Sequence, residues 1–262
     1  MTYTRIAAFG LGLVVVACVV PGKAEAQTIA QRVSSAPDGK VRLSFAAKPG
    51  VCGHHNSISH GKSSRYNWSS EASADVEYDV DCETGPVRVV LQVRDGNVHA
   101  LRTYVGGRWR QGAGVTDLGT VSTRAGSDYL LSLASERDGA VAREAIMPAT
   151  LADSVTVWPT LVKIARDLDR PSSTRKQALF WLSMAAGNRV DQDGDDSADP
   201  KSEVKKQAVF ALSQHRGSES VGTLIEVARK NRDPDVRRTA LFWLGQSNDP
   251  RAVSVFEEIL SR

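Results

Sequence analysis

The sequence contains no C-x-x-C pair, no G-x-S-x-G turn and no H-E-x-x-H helix. Dithiol redox chemistry, an α/β-hydrolase nucleophile and a zincin metal site therefore have no local signature here. There is no large excess of one charge, since 33 lysines and arginines face 30 aspartates and glutamates. Nucleic-acid binders cluster basic residues and carry few acids, so that class is excluded. The stretch ending Gly61-Lys62-Ser63 is not a phosphate loop, because Asn56 stands where G-x-x-x-x-G-K-[ST] requires its first glycine. Serines and aspartates are plentiful and His99 and His215 are available as bases, but no spacing marks a triad. No catalytic residue is assigned, and the chain is read as a non-enzyme.

Only one apolar run is long. It extends from Ile6 to Val20 behind Arg5, is broken by Pro21 and Gly22, and is followed by Ala24-Glu25-Ala26. A basic start, a short apolar core and a small-x-small end predict a signal peptide over residues 1–26, cleaved after Ala26, and hence a periplasmic or secreted protein. The run is too short and wrongly flanked for a membrane span. The alternative is that Val15-Val16-Ala17-Cys18, which resembles a bacterial lipobox, makes Cys18 a lipid anchor.

Beyond the leader two cysteines remain, Cys52 and Cys82. In an oxidising compartment an even pair predicts a disulfide. Closing a loop of about 30 residues stabilises by roughly 3–4 kcal/mol in the chain-entropy treatment. Cys52 also opens a stretch holding His54, His55 and His60. Imidazoles and a thiolate could take copper or zinc. A thiolate ligand would need Cys52 free, however, and adjacent histidines on an extended chain point apart. A disulfide-tethered polar loop is the preferred reading.

The first half reads as β structure. Val76, Tyr78 and Val80 alternate with acids, and Val87, Val89, Leu91 and Val93 alternate with Arg88, Val90, Gln92 and Arg94. Period two predicts strands with one buried face. Asp95-Gly96 places a tight turn inside a hairpin over 86–105. Lys40 to Ala46 is another strand, and residues 106–114 form a Gly- and Arg-rich loop around Trp109. Ser122 caps a helix carrying Tyr129, Leu130, Leu133 and Ala134, which bridges to the second half.

The second half repeats. Thr174–Leu182, Val204–Leu212 and Val236–Leu244 align at offsets of 30 and 32, sharing Ala178/Ala208/Ala240, Phe180/Phe210/Phe242 and Leu182/Leu212/Leu244. Thr160–Arg166 aligns with Thr223–Arg229 at an offset of 63. Ala140–Ala149 is a weaker first helix, its Ala145 lying 33 residues before Ala178, and Trp158–Asp167 is its second. A period near 31 with two apolar-periodic segments predicts stacked helical hairpins. Val204, Ala208 and Leu212, like Val236, Ala240 and Leu244, fall on one helix face for packing. Trp181, Trp243 and the phenylalanine column are expected in inter-helix packing. Asp233-Pro234 and Asp249-Pro250 supply helix starts.

The segments Asp233–Gly245 (DPDVRRTALFWLG) and Asp249–Leu260 (DPRAVSVFEEIL) resemble HEAT-like repeats of the bacterial type, also found in phycobilisome-lyase proteins. The resemblance covers roughly residues 140–262. It implies an α-solenoid that binds proteins or peptides on its curved face. Lyase members act on bilin chromophores, and no residue here carries that chemistry over.

The repeat fails between Leu182 and Val204. A second helix is due, but Asn188–Pro200 offers one large apolar residue, Val190, among aspartates. Asp191, Asp193 and Asp195 alternate like calcium ligands, with Asp199 beyond. Asp196 and Ser202 depart from the EF-hand pattern, so a solvated acidic loop is the plainer reading. A lost second helix is expected to leave an acid-edged notch between the repeats beginning near Ser172 and Lys201.

The expectation is thus an α+β chain: residues 27–121 a small disulfide-linked β domain, 122–137 a bridging helix, and 138–262 a short HEAT-like α-solenoid. The implied role is a non-catalytic exported scaffold for a protein or peptide partner, with no cofactor. The alternatives are a calcium-responsive module through Asp191–Asp199 and a bilin-lyase-like enzyme.

Overall fold

The computed structural model describes residues 27–54, 57–60, 64–67, 82–192, 202–214 and 218–262. Helix α1 (Ile29–Ser34) precedes strand β1 (Gly39–Phe45). The short strands β2 (Val51–His54), β3 (Ser57–His60), β4 (Ser64–Asn67) and β5 (Glu83–Thr84) follow, then the longer β6 (Val87–Arg94), β7 (Asn97–Val105) and β8 (Val115–Thr120). The rest is helical: α2 (Thr123–Glu136), α3 (Gly139–Thr150), α4 (Trp158–Arg166), α5 (Ser172–Gln192), α6 (Ser202–Gln214), α7 (Ser218–Lys230), α8 (Pro234–Gln246) and α9 (Pro250–Leu260). The chain is therefore α+β, as the sequence indicates. The alternating segment around Val76 to Val80 lies outside the described residues.

Alternation in the long strands sets the main sheet, ordered β7-β6-β1-β8. Val41, Leu43, Phe45, Val87, Val89, Leu91 and Val93 are buried, while Gln92 and Arg94 are exposed. The Asp95-Gly96 turn has positive φ at both central residues, 50° and 69°, the requirement of a type I′ hairpin. β8 runs parallel to β1 on the opposite edge from β7. The intervening residues 106–114 must therefore cross from one edge of the sheet to the other. Arg88 donates to the carbonyls of Gly106 and Gly107 at 2.8 Å each, and Arg42 to the carbonyl of Arg110 at 3.1 Å. Both guanidinium carbons lie 5.1 Å from the Trp109 ring centroid. The Gly- and Arg-rich loop is thus a strap held by two cations and one aromatic ring.

A second antiparallel sheet, β4-β3-β2-β5, sits at one end of β7. Approach is close there, since a Cβ added to Gly53 would lie 2.4 Å from the Val105 carbonyl oxygen. Cys52 and Cys82 are bonded, with Cα atoms 5.3 Å apart, joining β2 to the chain entering β5.

Ser122 caps α2, its hydroxyl accepting from the Ala125 amide. α2 lies close on the buried face of the main sheet, because a Cβ on Gly126 would meet the Phe45 ring at 2.7 Å. α3 packs between α2 and β7. The Ser127 hydroxyl donates to the Ala149 carbonyl at 3.3 Å. Residues 46–48 also pair with 151–153: Ala47 bridges Ala152, the Lys48 amide donates to Leu151 and the Asp153 amide to Ala46. One buried cluster consequently runs from Ile29 to Ile259.

In the helical part the hairpins do not stack in chain order. α5 packs extensively on α8, α4, α9 and α3, and α6 packs on α8 and α7. The spatial order of one layer is therefore α3-α5-α8-α6, and α9 lies between α4 and α7 in the other. Ion pairs fix α9: Arg166 at the end of α4 meets Glu257 at 2.5 Å, and Arg229 at the end of α7 meets Glu258 at 2.8 Å. The α5–α8 pair is antiparallel. A Cβ on Gly245 would touch Ser183 and one on Gly187 would touch Arg238, so partner numbers fall on α8 as they rise on α5.

Two sequence expectations are corrected here. The helix beginning at Ser172 does not stop near Leu182 but continues to Gln192, with Val190 buried. The place where a second helix was due is not an open notch, because α8 and α9 pack on α5. The slot between α4 and α7 holds one helix, and α9 fills it. α6 starts on the far side of α8, two helix spacings or about 16–20 Å from α5. The roughly ten residues from Gln192 to Ser202 reach at most about 33–36 Å, which is enough. The second correction concerns α6, where Val204 and Ala208 are exposed although Val236 and Ala240 are buried. Among the described residues α6 ends the layer, and Val204 and Ala208 are left exposed while Leu212 of the same column is half-buried.

Candidate interaction surface

Aromatic rings run across three helices of the array. In α5, Phe180 lies 5.3 Å from Trp181 and, across the helix pair, 6.5 Å from Phe242 of α8. Phe242 lies 5.1 Å from Trp243, which meets Phe210 of α6 at 5.2 Å. The edge-on and tilted geometries suit the ring quadrupole. Trp181 is buried and Phe180 and Trp243 are half-buried, whereas Phe242 and Phe210 keep 36% and 44% of their surface exposed. The phenylalanine column is therefore one contiguous ladder with its edges in solvent. Exposed aromatic surface set on rigid helices is what a binding hot spot needs. Inter-helix packing is borne out for these rings, with an exposed rim that the periodicity did not signal.

The ladder follows from a repeat unit larger than a hairpin. Ala178-Leu-Phe-Trp-Leu182 and Ala240-Leu-Phe-Trp-Leu244 are identical, while α6 has Ala208-Val-Phe-Ala-Leu212. Offsets of 62 to 63 relate α3, α4 and α5 to α6, α7 and α8 in turn. The two three-helix units meet through the α5–α8 pair, about which Phe180 and Phe242, and Ser183 and Gly245, face their own counterparts. That arrangement is an internal approximate two-fold.

The other sequence-designated residues lie elsewhere. Cys52 and Cys82 form the disulfide. His54 ends β2 and His60 ends β3, and the register pairs His54 with Ser57 and Val51 with His60. They occupy opposite ends of the ladder, about 10 Å apart along the strand direction. His55 is outside the described residues. Asp191 is in the last turn of α5, and Asp193, Asp195 and Asp199 are outside the described residues. Among the described residues no three His, Cys, Asp or Glu side chains gather for a metal.

One cavity escaped the sequence reading. About 540 Å³ in volume, it lies between the two sheets and is lined by Lys48, Val51, Thr84, Pro86 and Thr120 among others. Burial holds the Lys48 ammonium below the usual lysine range, against the opposing pull of Asp153. Its walls come from the ends of separate strands, so no local motif could have marked it.

Among the described residues no helix is long and apolar enough to cross a membrane. A family model described as HEAT repeats matches residues 196–262, which span α6 to α9. No curated protein and no solved structure gives a significant match. The C-terminal part of the chain thus matches HEAT repeats, and the N-terminal region matches no family model.

Proposed function

We propose that this protein is an exported, non-catalytic binding scaffold whose helical array holds a protein or peptide partner. The observation that carries the reading is the aromatic ladder, half in the core and half in solvent, within helices of which the last four match HEAT repeats. The Cys52–Cys82 disulfide supports an oxidising compartment, and the leader-like residues 1–26 support export. The β region, sharing a core with α2 and α3, acts as the mount that holds the array.

The test is site-specific photo-crosslinking in cells of the source organism. A benzophenone amino acid placed at Phe242 should give a discrete adduct, and the same group at Asn97 in the β-hairpin should not. Adducts equal at both positions, or none at Phe242, refute the reading. N-terminal sequencing of the mature protein from an envelope fraction should begin at Gln27. A lipidated Cys18 start would replace release by anchoring.

A further inference from the structure

The outward face of the main sheet is strongly basic. The core and α2 lie against Val41, Leu43 and Phe45. Side chains alternate along a strand, so Lys40 and Arg42 in β1, Arg88 and Arg94 in β6, and Arg102 in β7 share the other face. The register agrees, pairing Lys40 with Gln92, Arg42 with Val90, and Val90 with Arg102. The strap crosses this same face, since its Trp109 lies on Arg42 and Arg88, and it adds Arg108 and Arg110. Among the described strand and strap residues of the face the one acid is Asp117, engaged by Arg42 at 2.8 Å. Not every cation is available. Arg42 and Arg88 hold the strap, and Arg88 is kept below the usual arginine range by burial and next by the Arg42 charge. Arg102 interacts with Glu144 of α3. Lys40, Arg94, Arg108 and Arg110 are exposed, and their side chains have no hydrogen-bond or ion-pair partner among the described residues. Ideal sheet spacing puts the Cα of Lys40 about 8 Å from that of Arg94 and about 12 Å from that of Arg102. That is about one Debye length at physiological salt, so their fields overlap.

Geometry selects the kind of anion. An extended peptide binds a sheet through main-chain hydrogen bonds at an edge, and a sheet face offers its amides no partners. Single-stranded nucleic acid needs open aromatic faces for its bases, and the Trp109 ring is taken up by two guanidiniums. A flat lipid surface would meet the raised strap before the floor around Lys40 and Gln92. A linear acidic sugar chain can lie on that floor beside the strap, its carboxylates or sulfates meeting guanidinium forks.

We infer that the basic outer face of the main sheet, beside the strap, binds an acidic polysaccharide. The surface is separate from the aromatic ladder and does not rest on the scaffold reading. The β region then holds a glycan while the helical array holds a protein.

The test is titration calorimetry of the full chain with alginate oligosaccharides, which carry carboxylates, with heparin oligosaccharides, which also carry sulfates, and with uncharged dextran. At least one acidic probe should bind saturably and more weakly as salt rises, and dextran should not bind. The double variant Lys40→Glu/Arg94→Glu changes exposed positions only and should weaken binding at least about tenfold. Lys163→Glu/Lys176→Glu makes the same change in net charge at exposed positions of α4 and α5 and should leave affinity within about threefold. No saturable binding of either acidic probe, or equal losses in the two double variants, overturns the inference. So does tighter binding of a single-stranded oligonucleotide, or co-sedimentation with phosphatidylglycerol vesicles under conditions where neither sugar binds. Sugar binding that appears only after Glu71, Asp75, Glu77, Asp79 and Asp81 are changed to amides also overturns it, and makes the chain's own acidic run the occupant. None of these results touches the crosslinking test at Phe242.

Discussion

Replacing Gly245 by alanine should destabilise the protein, although alanine is the better helix former. In a free helix interior the exchange stabilises by up to about 1 kcal/mol. Gly222 in α7 is such a position, because an added Cβ there meets nothing within 4 Å. At Gly245 the new Cβ would lie 2.5 Å from the Ser183 hydroxyl oxygen, 2.6 Å from its Cβ and 3.2 Å from the Leu179 carbonyl. The first two contacts are too short for any real pair, so α5 and α8 must separate. Overpacking of this kind costs about 1–3 kcal/mol. The net effect expected is a loss of about 1–2 kcal/mol, opposite in sign to Gly222→Ala. Ser183→Gly removes both close atoms. The double variant Ser183→Gly/Gly245→Ala should therefore be more stable than the sum of its singles by about 1 kcal/mol or more. Urea unfolding followed by circular dichroism gives all four values. If Gly245→Ala stabilises as much as Gly222→Ala, α8 does not lie on α5 at Ser183 and the helix order is wrong.

Three other outcomes are expected. Cys52→Ser with Cys82→Ser should lower the stability of the β region by about 3–4 kcal/mol, since the bond closes a separation of 30 residues; an unchanged urea midpoint would show that the loop is restrained without it. Tyr129 is pushed up to about 12, chiefly by burial and partly opposed by Arg137. Its neutral form is favoured in the folded state, so stability should fall as pH rises from 10 toward 12, by about 3 kcal/mol at most; Tyr129→Phe should flatten that limb, and an identical alkaline profile would contradict it. Glu144 on α3 is held above the usual carboxylate range by burial, against an opposing hydrogen bond from Leu101. Ionising it disfavours the folded state, so Glu144→Gln should gain stability relative to the parent as pH rises from 4 to 7; a gain that is flat with pH would refute the assignment.

Much of the architecture is written in local pattern. Period-two alternation at Val87–Val93, the positive-φ pair Asp95-Gly96 and the Asp-Pro starts at Asp233 and Asp249 each act through neighbours in sequence, so they could be read directly. The disulfide needed only cysteine count and compartment. What could not be read is long-range. β8 pairs with β1 from the far edge, and no periodicity in Val115–Thr120 reveals it. The hairpin period suggested that neighbours in the chain are neighbours in space. The stronger signal was the identity of the Ala-Leu-Phe-Trp-Leu segments at an offset of 62, which marks a three-helix unit. The exposure of Phe210 and Val204 follows from that larger unit. Lys48 draws its environment from segments far apart in sequence, so its perturbation was invisible.

The order of the helices is tested most directly by double-mutant cycles on the aromatic ladder, using alanine at Phe180, Phe210, Phe242 and Trp243. Ring centroids 6.5 Å apart for Phe180 and Phe242, and 5.2 Å apart for Phe210 and Trp243, should give coupling energies of about 0.5–1.5 kcal/mol. The pair Phe180 and Phe210 should give none. Coupling between Phe180 and Phe210, with none between Phe180 and Phe242, would place α6 beside α5 in plain chain order and contradict the two back-to-back units described above.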